Sequence, residues 1–233
     1  MFRLSKYLSG IEHLFYPHLC LGCGDDQVNA DNYLCITCTH KLPRTDFAAI
    51  RDNATEKIFY GRVDIKAGCS LFYFAKDAIV QNLIHHLKYK KQARLGNMLG
   101  RMMGKELIQH ADFAHIEMLV PLPLFKEREK QRGYNQSQLL CDGISQESGW
   151  PVIAGNLIRE HKSESQTKKH RGERWKNVKD IFKVTDPTSF KGKHILLVDD
   201  VVTTGATLES AATVLHAACV ASVSVATLAI ATK

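Results

Sequence analysis

The chain has 233 residues, 45% of them hydrophobic and 24% charged, and carries a formal net charge of +7. This composition is typical of a globular protein and excludes a fibrous or largely disordered chain. Because no run of eighteen apolar residues occurs, we expect no transmembrane helix and no stable membrane insertion. The positive charge suits an anionic ligand, a nucleic acid, or both.

The first sixteen residues alternate charged and apolar side chains. They lack the continuous apolar core and the cleavage site of a secretory signal, so we expect a cytoplasmic protein. Leu4, Leu8, Ile11 and Phe15 recur at helical spacing, which predicts an amphipathic helix packed onto the protein. A helix lying on a membrane surface is the alternative.

Four cysteines follow as two Cys-x-x-Cys pairs separated by eleven residues: Cys20, Cys23, Cys35 and Cys38. This spacing predicts a tetrahedral four-thiolate site for a structural zinc ion, without an open position for catalysis. Two disulfides, or a redox or iron–sulfur site, are the alternatives. Since no signal points to an oxidising compartment, the pattern favours a metal.

The remainder of the chain has the pattern of an α/β domain. Residues 41–60 are mixed and aperiodic and indicate a connector, which divides the chain into 1–60, the N-terminal helix and zinc ribbon, and a second domain, 61–233. Asp77 is a candidate N-cap for the first helix of this domain. Strands are predicted at 67–74, 118–120, 152–157, 195–198 and 220–230, and helices at 77–89, 95–110, 134–144 and 207–217. Strands that alternate with helices predict a mostly parallel sheet flanked by helices.

The most informative segment is HILLVDDVVTTGAT, residues 194–207. Four apolar residues predict a buried strand that ends at Asp199 and Asp200, and a turn of small residues then opens a helix. The carboxyl end of a strand followed by a helix N-terminus is where open α/β sheets bind phosphorylated ligands. The acidic pair is well placed for two adjacent sugar hydroxyls.

The turn after the acidic pair suits a phosphate. Three hydroxyls and the backbone N–H groups can surround the anion, and Gly205 allows close approach of the backbone; the hydroxyls belong to Thr203, Thr204 and Thr207. A site for a monophosphate and a vicinal diol together is a ribose 5-phosphate site.

A basic loop follows the strand predicted at 118–120 and closes at Gly133, just before a helix. This is a second arrangement suited to anions. Lys126, Arg128 and Arg132 could neutralise a pyrophosphate there, with Arg132 preferred for its forked guanidinium. Residues 159–193 hold eleven further Lys or Arg residues, which form either a solvated basic loop or a basic flap over the ligand.

These segments resemble the type I phosphoribosyltransferases, which bind 5-phosphoribosyl-1-pyrophosphate (PRPP). Over the whole chain, including the pattern PLP…RGYNQ at 121–136, the sequence is similar to the competence protein F (ComF) family, which joins a small cysteine motif to a phosphoribosyltransferase-like domain. The resemblance implies the type I phosphoribosyltransferase fold with a small N-terminal zinc-ribbon module.

The resemblance also implies residue roles. Asp199 and Asp200 would hold the ribose hydroxyls, and Arg132 and Arg174 would join them as catalytic residues. Residues 166–182, which precede the strand predicted at 195–198, would form a mobile flap. Within this segment Arg171 is a rival for the role of Arg174. The implied PRPP-binding residues are Asp199, Asp200, Val201, Val202, Thr203, Thr204, Gly205, Ala206, Thr207, Lys126, Arg128, Arg132, Gln166, Arg171, Arg174 and Asn177.

The implied reaction is transfer of the phosphoribosyl group, with Mg²⁺ bridging the pyrophosphate and the ribose hydroxyls, to an acceptor that the sequence does not identify. Purine-salvage members of the superfamily place an acidic residue where this chain has Thr203, which argues against purine salvage. The ComF resemblance implies a role in competence or DNA use. The alternative is a non-catalytic PRPP- or nucleotide-binding accessory protein that contacts single-stranded DNA or a DNA-uptake helicase. An oligomer is left open.

Overall fold

A computed structural model describes residues 19–26, 28, 32–75, 78–160 and 182–231. The predicted N-terminal helix and the predicted N-cap Asp77 lie outside these residues. The helices are α1 (Ile36–His40), α2 (Ala54–Lys57), α3 (Ile79–Tyr89), α4 (Ala93–Leu107), α5 (Lys126–Arg132), α6 (Gln136–Ser148) and α7 (Ala206–Ala217). The strands are β1 (Gly68–Phe74), β2 (Met118–Pro121), β3 (Leu157–Arg159), β4 (Phe182–Val184), β5 (His194–Val202) and β6 (Ser222–Ala231).

Four of these strands form the central sheet, in the order β1-β6-β5-β2. All three pairings are parallel, as the alternation of strands and helices predicts. Strand β5 is the buried centre of the fold, since residues Ile195–Val198 are fully buried between β6 and β2. The predicted α/β class with a parallel sheet is confirmed. No helix in the described part of the chain combines the length and apolar character needed to cross a bilayer.

Strand β5 differs from the prediction at its carboxyl end. It continues through Val202, so the acidic pair lies inside the strand, and Asp199 is paired in register with Thr227 of β6. The expectation that the acidic pair ends the strand is therefore wrong. Because β6 is long enough to pair with these residues, the backbone stays extended up to the turn that begins at Thr203.

Two other predicted segments are corrected. The strand predicted at 152–157 is absent up to residue 156: Val152 makes one isolated bridge to Leu119, and the short strand β3 begins only at Leu157 and pairs antiparallel with β4. The predicted basic loop before Gly133 is largely the helix α5, which ends at Gly133 with φ of 86°. Glu127 and Lys130 stand at the i, i+3 spacing that favours a helix, a signal that the loop interpretation overlooked.

The segment expected to be an irregular connector is ordered and packs on the sheet. Buried Asn53 caps α2 through its Oδ1 and donates from Nδ2 to the carbonyl oxygen of Gly68 at 2.7 Å. A buried hydroxyl chain runs from Thr55 to Ser70 and on to Thr227, with both Oγ–Oγ distances 2.7 Å. Residues of the predicted connector thus hold β1 and β6 from one side.

Helices α4 and α6 pack at very short range along a line of glycines. A Cβ atom on Gly100 would lie 2.3 Å from the carbonyl oxygen of Leu140, and one on Gly143 would lie 2.3 Å from that of Asn97. Such distances are far inside van der Waals contact, and backbone atoms cannot rotate away. The glycines therefore allow the close contact that fixes α6 and, with it, the residues at its N-terminus.

We expect Gly100→Ala and Gly143→Ala to lower the free energy of unfolding by at least about 2 kcal/mol, because the helices must separate to admit the methyl group. On an exposed helix the same change would stabilise the protein. Gly104→Ala is the graded control, since its Cβ would lie 3.0 Å from its nearest neighbours and should cost less. Urea unfolding measures the series, and equal stability of Gly100→Ala and wild type would contradict the packing argument.

Candidate functional site

The acidic pair at the carboxyl end of β5 is held by two different helices. Asp199 Oδ1 accepts a hydrogen bond from the Ser137 hydroxyl at 3.1 Å and another from the Asp200 backbone N–H at 2.8 Å. The carboxylate of Asp200 instead meets the ammonium group of Lys88, with 2.8 Å between Nζ and Oδ2. The two neighbouring side chains thus have separate partners, from α6 and from α3.

Electrostatics make Asp199 an unusual carboxyl group. Burial and the adjacent charge of Asp200 raise the pKa of Asp199 to about 7, although the hydrogen bonds from Asp200 and Ser137 and the charge of Lys88 oppose the rise. Two carboxylates on consecutive residues repel one another, so one of them tends to retain its proton. Asp199 is therefore poised to hydrogen-bond a neutral hydroxyl group close to neutral pH.

The segment RGYNQS, residues 132–137, positions the two helices that contact the acidic pair. Asn135 caps α6 by accepting from Ser137 N–H at 3.0 Å, and its Nδ2 donates to the carbonyl oxygen of Leu122 at 3.0 Å. The Tyr134 hydroxyl donates to the carbonyl oxygen of Leu87 at 2.7 Å, at the end of α3. The segment thereby joins the helix that carries Lys88 to the helix that carries Ser137.

The turn after β5 contacts residues from the N-terminal half of the chain, which hold it in place. Gly205 has φ of 73°, and a Cβ atom there would lie 2.3 Å from Cγ2 of Ile58. The Arg62 guanidinium donates to the carbonyl oxygen of Thr204 at 2.7 Å and also pairs with Glu209. Only glycine satisfies both the conformation and the space at this position.

The same turn exposes groups that can bind an anion. Thr203, Thr204, Ala206 and Thr207 are exposed, whereas Val202 is buried and Val201 is partly buried. Helix α7 begins at Ala206, and its N-cap Gly205 supplies no side-chain hydrogen bond. The first N–H groups of a helix without a side-chain cap, together with the helix dipole, favour a bound anion.

The basic residues of the predicted pyrophosphate loop do not all face the acidic pair. Lys126 and Arg128 are exposed on α5. Arg132 donates to Oε1 of Gln136 at 2.7 Å, and its guanidinium carbon lies 5.6 Å from the centre of the Tyr89 ring. Its contacts hold it at the junction of α5, α6 and α3. The predicted flap residues Gln166, Arg171, Arg174 and Asn177 lie outside the described residues.

Arg159 is predicted only as one of the eleven basic residues at 159–193, without a role of its own, and it lies at the edge of the site. Its guanidinium carbon is 4.0 Å from the centre of the Phe125 ring and 5.3 Å from that of Phe182. Burial lowers the pKa of Arg159, as does the charge of Arg128, while the charge of Asp199 raises it. A cation stacked on two rings is a rigid positive group at the start of the predicted flap.

Lys88, Ser137 and Arg62 were likewise missing from the predicted site. Lys88 could have been found from the motif at the end of its helix, Lys88-Tyr89, which also resembles the ComF family but has no evident chemistry in sequence alone. Ser137 directly follows the RGYNQ pattern. No sequence signal could have found Arg62, since its contact with Thr204 joins residues 142 positions apart.

The four predicted metal ligands do come together. The sulfur atoms of Cys20, Cys23, Cys35 and Cys38 all lie within 4.8 Å of one another. Cys23 and Cys35 Sγ are 3.8 Å apart, close to the roughly 3.8 Å edge of a tetrahedron with Zn–S bonds of about 2.3 Å. Backbone N–H groups of Gly22 and Cys35 point at Cys20 Sγ from 3.4 and 3.3 Å. All four are free thiols, and the donor set fits zinc.

A resident magnesium ion fits the acidic pair poorly. Magnesium requires near-octahedral oxygen coordination at about 2.0–2.1 Å. Here Asp200 Oδ2 is in contact with an ammonium group, and Asp199 Oδ1 already accepts two hydrogen bonds. The ligand-free arrangement thus satisfies its negative charge internally.

The raised pKa of Asp199 has a consequence for stability. A carboxyl group with a pKa above its unfolded value binds more protons in the folded state, so stability falls as pH rises from about 4 to about 7. We therefore expect Asp199→Asn to melt a few degrees above wild type at pH 8 and to match it near pH 4. Roughly 1 kcal/mol corresponds to about 2–4 °C in a chain of this size.

Asp112→Asn is the control of opposite sign, because the hydrogen bond from Arg51 lowers the pKa of Asp112. It should not raise the melting temperature at pH 8. Thermal scans of both variants at the two pH values measure the difference. A melting temperature of Asp199→Asn at or below that of wild type at pH 8 would show that burial and repulsion do not dominate at this site.

Comparison with known proteins shows which family this chain resembles. The model of the phosphoribosyl transferase domain matches residues 100–232. The DNA utilization protein YhgH of Escherichia coli K12 is 30% identical over 136 residues, which cover 57% of this chain and 59% of the relative. The competence protein ComFC of Bacillus subtilis is 42% identical over 95 residues, 41% of this chain and 36% of the relative. The matches thus span less than two thirds of either relative.

Among solved structures, this chain is similar to a glutamine PRPP amidotransferase from B. subtilis that was complexed with ADP and GMP. The TM-score is 0.44 and the sequence identity is 15%, and the match covers 63% of this chain and 30% of the amidotransferase. The family match includes the acidic pair, the turn after β5 and the RGYNQS segment. The expected fold class and the resemblance to the competence protein F family are confirmed. Because the family model matches more than half of its residues, this chain belongs to the phosphoribosyl transferase domain family.

Proposed function

We propose that this protein binds PRPP at the carboxyl end of β5 and transfers its phosphoribosyl group to an acceptor in a pathway of DNA uptake or use. The names of its relatives, DNA utilization protein and competence protein, support the context. Membership of the phosphoribosyl transferase domain family supports the chemistry.

One observation carries the proposal: the acidic pair lies in the last four residues of β5, and only residues 201–205 separate it from a helix N-terminus that has no side-chain cap. The 5-phosphate of a ribose would bind the N–H groups and hydroxyls of the turn, residues Thr203–Thr207. The two ribose hydroxyls would then reach Asp199 and Asp200. A ribose 5-phosphate carries a phosphate and a vicinal diol on one sugar and can therefore engage both groups of residues at once.

The acidic pair suits the proposed reaction as well. The acceptor attacks C1 of the ribose while the bond from C1 to the pyrophosphate oxygen breaks, and the electron pair leaves with the pyrophosphate. Positive charge develops on the ribose, so a fixed carboxylate near its hydroxyls stabilises the transition state. Magnesium would arrive as part of the substrate, bound to the pyrophosphate, and would neutralise the leaving group.

The basic groups around the site would bind the pyrophosphate. Arg132 is held between Gln136 and Tyr89, and Arg159 is stacked on two phenylalanine rings. The flap residues Gln166, Arg174 and Asn177, with Arg171 as a rival, would close over the ligand and exclude water. This part of the proposal follows the resemblance to the family.

Calorimetric titration of Mg²⁺·PRPP tests the proposal. We expect saturable binding to wild type and at least a tenfold weaker affinity for Asp199→Asn/Asp200→Asn, because the variant cannot accept hydrogen bonds from both ribose hydroxyls with charged oxygens. Asp142→Asn is the matched control, since Asp142 lies on α6 and accepts from Gln138 instead. Its affinity should equal that of wild type.

A second candidate function is a non-catalytic accessory role on DNA, favoured by the names of the relatives and the net charge of +7. Its signature is binding of single-stranded DNA that falls steeply with salt. If wild type binds no PRPP at millimolar concentration but shows this DNA binding, the accessory role replaces the transferase.

We also propose that the four-cysteine cluster holds a structural zinc ion. Cys35→Ser should lose the metal, measured by mass spectrometry, and lower the melting temperature, because three thiolates leave the site incomplete. Cys219→Ser is the control, since Cys219 is an exposed free thiol and should retain one zinc per chain. Full zinc retention in Cys35→Ser, or a wild type that contains iron or disulfides, would refute the assignment.

A further inference from the structure

The contact between Lys88 and Asp200 is the feature of the site that the proposed function leaves unexplained. The ammonium group lies 2.8 Å from Asp200 Oδ2, and the two side chains are only 22% and 11% exposed. A solvated surface pair would be weak and interchangeable. A pair withdrawn from water is costly to separate, because each partner would leave the other charge buried and uncompensated.

The position of Lys88 is fixed by its neighbours. Leu87 is fully buried, and its carbonyl oxygen accepts the Tyr134 hydroxyl. On the other side, Tyr89 lies below the guanidinium of Arg132. The last turn of α3 is thus held against the RGYNQS segment, and a cation is the charge that a helix C-terminus favours.

An ammonium group at this place opposes a metal ion on the same oxygen. A divalent cation on Asp200 would lie within a few ångströms of the Lys88 charge, and like charges at that distance repel strongly outside bulk water. The other carboxylate of the pair offers little compensation, because one oxygen of Asp199 is already engaged with Ser137 and Asp200.

We propose that Lys88 is the built-in counter-ion of the acidic pair, which keeps divalent cations out of the ligand-free site so that metal enters only with the ligand's pyrophosphate. The first half of this inference concerns the ligand-free protein alone. The second half rests on the proposed function: a pyrophosphate offers Lys88 a new anionic partner, and Asp200 is then released to the ribose hydroxyls. Lys88 is a positioning residue in this scheme.

Manganese titration of the zinc-loaded, ligand-free protein at pH 8 tests the first half, with free Mn²⁺ measured by electron paramagnetic resonance. We expect wild type to leave millimolar Mn²⁺ free and Lys88→Met to bind one Mn²⁺ at least tenfold more tightly. Adding Asp200→Asn to Lys88→Met should remove the gain. Lys90→Met is the matched control, because Lys90 is exposed at the end of the same helix, and should behave as wild type.

Lys88→Arg and Lys88→Gln separate charge from packing. The arginine variant should exclude Mn²⁺ as wild type does, and the glutamine variant should admit it; the latter also serves if Lys88→Met does not fold, as judged by circular dichroism. Wild type that binds Mn²⁺ as tightly as the uncharged variants would overturn the inference. So would a folded Lys88→Gln without any gain in Mn²⁺ affinity.

The two proposals fail separately. If wild type binds no PRPP but the uncharged Lys88 variants gain a metal site, the transferase proposal falls and the counter-ion stands. If PRPP binds wild type, and if ligand-free wild type also binds Mn²⁺ as tightly as the uncharged Lys88 variants do, the transferase proposal stands and the role of Lys88 falls.

Discussion

Two carboxylates on consecutive residues at the end of a buried strand are the constraint around which this site is built. Unopposed, they would repel one another and destabilise the centre of the sheet, because β5 is flanked on both sides by other strands. The fold offsets this charge with one helix for each carboxylate, Lys88 from α3 and Ser137 from α6. The RGYNQS segment joins these two helices, so the residues of the proposed site are also structural residues.

The turn after β5 depends in a comparable way on residues far away in sequence. Gly205 packs on Ile58, and Arg62 holds the Thr204 carbonyl. The predicted boundary near Gly61 therefore passes through residues that support the site. The division of the chain at residue 60 stays a prediction, and the hydroxyl chain from Thr55 to Thr227 ties the end of the first region to the centre of the sheet.

The sequence predicted what depends on local pattern and missed what depends on distant contacts. Local sequence alone determines three features: the apolar run of β5, the Thr-Gly turn and the paired Cys-x-x-Cys motifs. Each of them is recognisable within a few residues. The prediction stopped β5 at the first carboxylate because charge is rare in a buried strand, whereas pairing with β6 carries the strand to Val202. Lys88 shows no chemistry in the sequence alone, since its partner is 112 positions away in the chain.

The glycine line between α4 and α6 connects packing to electrostatics. Ser137 lies in the first turn of α6, and its hydroxyl reaches Asp199 only if the helix lies close to the sheet. That approach is fixed by the contact with α4, where Gly100 of α4 and Gly143 of α6 let the two backbones meet. A methyl group there would move α6 outward, lengthen the Ser137–Asp199 hydrogen bond and remove one of the interactions that oppose protonation of Asp199. Helix packing some distance from the acidic pair therefore affects how readily Asp199 is protonated.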